Sequence, residues 1–192
     1  LNNNVISGQT ELASTPDDTD EFLISDGGTI KRIDYSLIKG GGITQADQYR
    51  LSADQYNDTN PLSSNIERVD TDGFGKIGTG MSVSSGTFTF PETGIYFIQF
   101  NGLTYGAQNQ PMNMSIMTTT DNSSYDTASR ATANHVGSGY ATTSVGCKFL
   151  FDVTDISTHK VQFKTDGTGG GAINGDTNAN RSHFTFIRLG DT

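Results

Sequence analysis

Apolar and polar residues along this chain change places over short runs, and glycine-rich turns cut the runs off before any helical period is sustained. Ile66–Val69, Lys76–Ile77, Thr87–Phe90, Ile95–Phe100, Met112–Met117, Ser144–Phe151, Lys160–Lys164 and Ser182–Leu189 read as strands. Asp72-Gly73, Gly78-Thr79-Gly80, Asp121-Asn122, Asp166-Gly167 and Asn174-Gly175 supply the turns between them. Many short strands at such spacing predict a sandwich, barrel or jelly roll.

One strand stands apart. Ile95, Tyr96, Phe97, Ile98 and Phe100 follow a turn built on Pro91 and Gly94. Successive side chains on a strand point to opposite faces, so this one is apolar on both. A strand that covers only its own core needs one apolar face. The closing strand repeats the pattern, with Phe184 and Phe186 on one side and Ile187 and Leu189 on the other. The two strands are expected to be neighbours in a sheet whose outer face meets another copy of the chain. Tyr96, Ile98, Phe100, Ile187 and Leu189 are the candidate interface residues, with the reverse face of each strand as the alternative.

Three segments follow from the patterning: 1–42, 43–60 and 61–192. In the first, Glu21–Asp26 and Thr29–Tyr35 flank Gly27-Gly28, a two-residue hairpin signal. Phe22 and Ile24 share a face that Ile30 or Ile33 opposes. An isolated hairpin is marginal in water, so this one is expected to pack on something, symmetry mates included. Gly40-Gly41-Gly42 reads as a flexible hinge. In the second segment Ala46-Asp-Gln-Tyr49 recurs as Ala53-Asp-Gln-Tyr56, and Thr44 with Asp47 resembles a capping pair. Ala46, Tyr49, Ala53 and Tyr56 fit one helical stripe. A short helical neck is one reading; a helix or turn packed on the main domain is the other, because two heptads do not make a coiled coil alone.

Composition narrows the function. Only 33% of the 192 residues are hydrophobic and 23 are glycine, so the core is modest and turns are many. A net charge of −9 and a pI near 4.5 speak against nucleic-acid binding, which needs a basic footprint, and against adsorption to anionic membranes. No run of about 18 apolar residues is present to span a bilayer. The sequence opens on Leu1 rather than Met, with no signal peptide visible, which fits a processed or truncated chain. The single cysteine, Cys147, alternates with Val145, Phe149, Phe151 and Val153 and reads as a small buried hydrophobe.

Candidate chemistry is sparse. Asp70-Thr-Asp-Gly-Phe-Gly75 begins like a calcium loop, but Met81 stands where a bidentate Glu should close the cage, so a turn is favoured. Asn174–Asn180 alternates oxygen-bearing side chains; an exposed polar loop is favoured over a cation or sugar site. Gly167-Thr-Gly-Gly-Gly171 lacks the Lys-Ser/Thr ending of a phosphate loop. His135, His159 and His183 have no metal-ligand spacing. The segment Asp121–Tyr140, rich in Ser, Thr, Asn and Tyr, has the composition of adaptable recognition surfaces and equally that of a solvated connection. No catalytic set, metal or cofactor is expected.

Phe88-Thr-Phe-Pro-Glu-Thr-Gly-Ile-Tyr-Phe-Ile98, followed much later by Ser182-His-Phe-Thr-Phe-Ile-Arg-Leu189, resembles the complement C1q and tumour-necrosis-factor superfamily over residues 61–192. The resemblance implies an all-β, ten-strand jelly-roll sandwich that trimerises about a three-fold axis through its inner sheet. The chain departs from the secreted animal members in lacking a collagen stalk and any Trp. Asp20-Glu-Phe-Leu-Ile-Ser-Asp-Gly-Gly-Thr-Ile-Lys-Arg-Ile-Asp-Tyr35, and Ile66-Glu-Arg-Val-Asp-Thr-Asp-Gly-Phe74 with the later Gly78-Thr-Gly-Met-Ser-Val-Ser-Ser-Gly-Thr-Phe88, are similar to segments of tail-fibre and other virion proteins of bacteriophages, marine ones in particular. That second resemblance implies a homotrimeric fibre tip on the particle surface. Its N-terminal segment would join other virion proteins and its loops would meet a host receptor or glycan. Capsid decoration or a general binding module is the alternative, and a glycan-degrading tailspike a more distant one.

Overall fold

The computed structural model describes residues 10, 12–38, 42–107, 110–136, 139–167, 169 and 171–192, with the side chain of Tyr140 left aside. Gly40 and Gly41 of the expected hinge, and Thr168 and Gly170 of the glycine-rich run, lie outside them. The chain divides into two compact units, Leu1–Gly42 and Ile43–Thr192.

The first unit is a hairpin of β1 (Glu21–Asp26) and β2 (Thr29–Asp34). Gly27 and Gly28 both take positive φ, 56° and 83°, as the tightest hairpin turn requires and side-chain-bearing residues resist. The register puts Phe22 opposite Ile33 and Ile24 opposite Lys31, while Ile30 faces Ser25 on the reverse side. Phe22 also meets the ring of Tyr35 at 6.0 Å, where a single 3₁₀ turn, Tyr35–Leu37, begins. Lys31 pairs with Asp26, and Arg32 with Glu21 at 2.5 Å. Phe22, Leu23, Ile24 and Ile30 remain exposed.

The second unit is built from β3 (Ala46–Leu51), β4 (Gln55–Tyr56), β5 (Ile66–Arg68), β6 (Ser82–Ser84), β7 (Thr87–Thr89), β8 (Gly94–Ala107), β9 (Pro111–Thr119), β10 (Asp126–Asn134), β11 (Tyr140–Val153), β12 (Lys160–Asp166), β13 (Ala172–Ile173) and β14 (His183–Gly190). One sheet runs β10-β9-β12-β7-β6. The other runs β4-β13-β8-β14-β3-β5, with β11 on the free side of β8. Every pairing is antiparallel, and the described residues contain no α-helix. This is the expected all-β jelly-roll sandwich with an N-terminal hairpin.

Aromatic rings hold the two sheets together. Phe88 on β7 and Phe163 on β12 interleave with Tyr49, Phe100, Phe184 and Phe186 from the facing sheet. Ring centroids lie 4.3 Å apart for Phe163–Phe184, 5.1 Å for Phe100–Phe163 and 5.1 Å for Phe88–Phe186. Such tilted and edge-on pairs add to simple area burial. Close sheet approach constrains the backbone too: a Cβ on Gly102 of β8 would stand 2.5 Å from the Met114 sulfur of β9. Gly94 opens β8 at φ 143°, and a Cβ there would strike the Gly190 carbonyl.

The segment 43–60 is not a helical neck. Ala46–Leu51 is a strand between β14 and β5. Asp47, Tyr49 and Leu51 turn inward opposite Phe186 and Phe184, and Thr44 donates to Glu92 at 2.7 Å rather than capping a helix. The three-four-three spacing of Ala46, Tyr49, Ala53 and Tyr56 is overridden: pairing with β14 imposes a period of two that turns Asp47, Tyr49 and Leu51 inward. Buried Asp47 accepts the Met81 N–H at 2.8 Å and the Arg68 guanidinium at 3.1 Å. Arg68 in turn lies 4.9 Å over the Tyr49 ring. This anchors the loop before β6 to the sheet. The expected Lys76–Ile77 strand is only a bridge from Ile77 to Ala46.

Candidate assembly face and edge groove

The two-sided pattern of β8 resolves into an inner and an outer set. Tyr96, Ile98 and Phe100 are fully buried inside their own protomer, opposite Phe151, Phe149 and Cys147 of β11. They are core residues, which corrects their assignment to an interface. The Tyr96 ring packs on Phe90 at 4.6 Å, its hydroxyl donates to the Glu92 carbonyl at 3.0 Å, and burial pushes its pKa up to about 12. The outward set on the same strand is Ile95, Phe97, Gln99, Asn101 and Leu103.

Register then lines up the outer face rung by rung. Leu150, Phe97, Ile187 and Ala46 stand side by side across β11, β8, β14 and β3. All four are apolar, and Leu150 is 58% exposed in the single chain. Leu189 sits in a register shift between Arg188 and Gly190 and is 56% exposed. The next rung is wholly polar: Lys148, Gln99, Thr185 and Gln48. Beyond it sit Asn101 and His183, whose Nδ2 and Nε2 atoms lie 3.2 Å apart. Burial pushes the His183 pKa down. The outer face is therefore apolar around Phe97 and polar around Gln99 and Asn101, with Leu103 and Tyr105 beyond.

A second feature lies at the β3–β5 edge. Arg50, fully buried, gives its Nε to Glu67 at 2.7 Å, one terminal nitrogen to Thr71 Oγ1 at 2.7 Å and the other to Asp70. Glu67 also accepts from Thr177 Oγ1 at 2.9 Å, and Asn180 Nδ2 donates to Gln48 Oε1 at 2.6 Å. One buried guanidinium thus braces the turn 70–74 and, through Glu67, the loop 176–181. These are the two oxygen-rich segments that the sequence singled out separately, and the fold sets them side by side. Between them runs a groove of two adjoining compartments, about 370 Å³ and about 320 Å³, which share Thr71 and Asn178. The Asp70 turn closes through Phe74 N–H to the Thr71 carbonyl at 2.9 Å, and Met81 is a core side chain.

The remaining candidates scatter. His135 is buried between Thr104 Oγ1 at 3.1 Å and the Gln110 carbonyl at 3.0 Å, and His159 stacks on Phe151 at 5.5 Å. Cys147 is buried, and burial pushes its pKa up to about 11. Much of Asp121–Tyr140 is strand β10 rather than loop. At its start the Asp121 carboxylate accepts the N–H groups of Ser124 and Ser123 and the Thr119 hydroxyl, which hold it well below the usual carboxylate range. Among the described residues no group of three or more His, Cys, Asp or Glu is placed to hold a metal ion. Sequence reasoning missed Arg50, because nothing local distinguishes a strand arginine that will be buried from one that will not.

No protein-family model and no curated protein sequence matches the chain. Solved structures do. The Eiger tumour necrosis factor from S. frugiperda superposes with a TM-score of 0.59 at 11% identity, covering 79% of this chain and 96% of that one. Murine APRIL superposes at 0.53 and 11% identity in its pH 5.0 form and at 0.51 and 12% in its pH 8.5 form, each covering 76% of this chain and 98% of that one. At these identities the likeness establishes the fold, a tumour-necrosis-factor-like jelly roll.

Proposed function

We propose that this chain is a structural component of a bacteriophage particle, a homotrimeric tail-fibre tip that attaches to the host cell surface. The observation that carries the reading is the apolar rung Leu150–Phe97–Ile187–Ala46 on the outside of the seven-stranded sheet. Leu150, the most exposed of the four, gains up to on the order of 1.5–3 kcal/mol when a neighbour takes it fully out of water, and the half-buried Phe97 and Ile187 add smaller shares. A three-fold assembly through this same sheet is what the resemblance to the complement C1q and tumour-necrosis-factor superfamily leads us to expect. The hairpin in 1–42, apolar on both faces and exposed, supports a second role for that unit in joining other virion proteins. The phage assignment is supported by the resemblance of Asp20–Tyr35 and Ile66–Phe74 to virion segments.

Size-exclusion chromatography with light scattering tests the assembly, and three copies per particle is the expected mass; a monodisperse monomer overturns it. Immunogold labelling of intact phage tests the location. Label at the tail supports the fibre reading, whereas label confined to the head transfers the same trimer to capsid decoration.

A further inference from the structure

We infer that the groove between the turn 70–74 and the loop 176–181 is a binding site for a neutral carbohydrate. The inference rests on the attachment reading above and deepens it, by naming the site and the chemical class of the ligand.

The groove combines the two surfaces that a sugar ring requires. A pyranose presents an apolar C–H face and a rim of hydroxyls that both donate and accept. One compartment offers the half-buried Phe74 ring beside Val69 and Ala179. The adjoining compartment offers the carboxylates of Asp70 and Asp72 and the amide of Asn178, which can each engage paired hydroxyls, with the Thr177 hydroxyl beside them. Each compartment lies near the lower end of the roughly 300–1,000 Å³ typical of small-molecule sites.

The walls are braced from beneath. Burying a guanidinium completely costs several kcal/mol unless its charge is paired. Arg50 directs three of its five N–H donors to Glu67, Thr71 and Asp70, two of them carboxylates, and Glu67 passes the tie on to Thr177. The groove's rim is thus fixed to β3 and β5 rather than left to loop motion, which lowers the ordering cost that a weak polar ligand would otherwise bear.

Charge selects among sugars. Four carboxylates, Glu67, Asp70, Asp72 and Asp176, stand here against two guanidiniums, Arg50 and Arg181. A uronic acid or sialic acid would bring further negative charge to an acidic rim, so neutral and N-acetylated hexoses are the fitting class.

Saturation-transfer NMR on the whole chain, in EDTA, tests this. The probes are the methyl glycosides of glucose, galactose, mannose and N-acetylglucosamine, with the methyl glycoside of galacturonic acid, ionised at neutral pH, for contrast. We expect transfer from at least one neutral glycoside, strongest at its ring C–H protons, and several-fold weaker transfer from the uronate. Phe74→Ala should weaken binding about tenfold, the loss of one aromatic face. Asn178→Ala, at an exposed position that the fold does not need, should weaken it as well and guards against a loop perturbed by the first change. Absence of transfer from every glycoside, transfer unchanged in both variants, or transfer that appears only after calcium is restored would each overturn the inference. Light scattering on the same samples separates the two readings: an assembled protein that binds no sugar refutes this site alone, while a monomer refutes the assembly.

Discussion

At the scale of single residues, the fold turns ordinary groups into unreactive or strongly held ones. Cys147 is 4% exposed, and burial raises its pKa from about 9 to about 11. The thiolate is the reactive form. Native protein at pH 8 should therefore resist a thiol-specific reagent, and label at once in denaturant; rapid native labelling would contradict the packing. Stability carries the same sign. A folded pKa raised above the unfolded one gives a contribution intact below about pH 9 and lost as pH climbs toward 11. Cys147→Ala should remove that part of the alkaline loss in thermal melts, leaving the later one from Tyr96, whose pKa is also pushed up. The role of Cys147 was legible in the sequence because its neighbours alternate so strictly. The side to which Tyr96, Ile98 and Phe100 point was not. Both faces of that strand are apolar, and only the register against β11 and β14 tells core from surface.

At the scale of elements, legibility followed how far each pattern was self-contained. The Gly27-Gly28 hairpin could be read locally, because positive φ at both turn residues leaves glycine almost no rival. Strand β3 could not, since Asp47 breaks the apolar character of its inward row beside Tyr49 and Leu51, and only pairing with β14 reveals the extended period. Strand β10 was hidden for another reason: its Thr, Ser and Ala side chains bury little beyond Ala133, and it is held to β9 by backbone pairing and by polar contacts such as Thr132 Oγ1 to Asn113 Oδ1 at 2.7 Å. The hairpin carries a prediction at this scale. Among the described residues β1 and β2 pair only with each other, and an isolated two-stranded ribbon is marginal in water. Its amides should exchange with solvent at least about a hundredfold faster than those of central β8 in hydrogen-exchange mass spectrometry of the isolated chain. Equal protection would mean that the hairpin is already covered, and its proposed role as a joint to other proteins would lose its support.

At the scale of the whole molecule, charge and apolar surface oppose each other in the proposed trimer. Three copies each carrying −9 repel, while the rung around Phe97 draws them together. Repulsion between exposed charges is screened when the Debye length falls from about 30 Å at 0.01 M salt to about 8 Å at 0.15 M, whereas apolar contact is not. Assembly measured by light scattering across a dilution series should therefore tighten as salt is added. Weakening with salt would show that ion pairs rather than the rung hold the copies. Leu150→Asp provides the complementary test. Leu150 is 58% exposed in the single chain, between Lys148 and Asp152 on the same outward face, so the change leaves the aromatic core untouched. A carboxylate forced against a neighbour's apolar surface should weaken assembly on the order of a hundredfold, with the melting temperature of the monomer unchanged. Tyr96→Asp, by contrast, should unfold the protomer itself, because its ring lies in the core against Phe90. The contrast between those two variants distinguishes a face built for neighbours from a core that needs none.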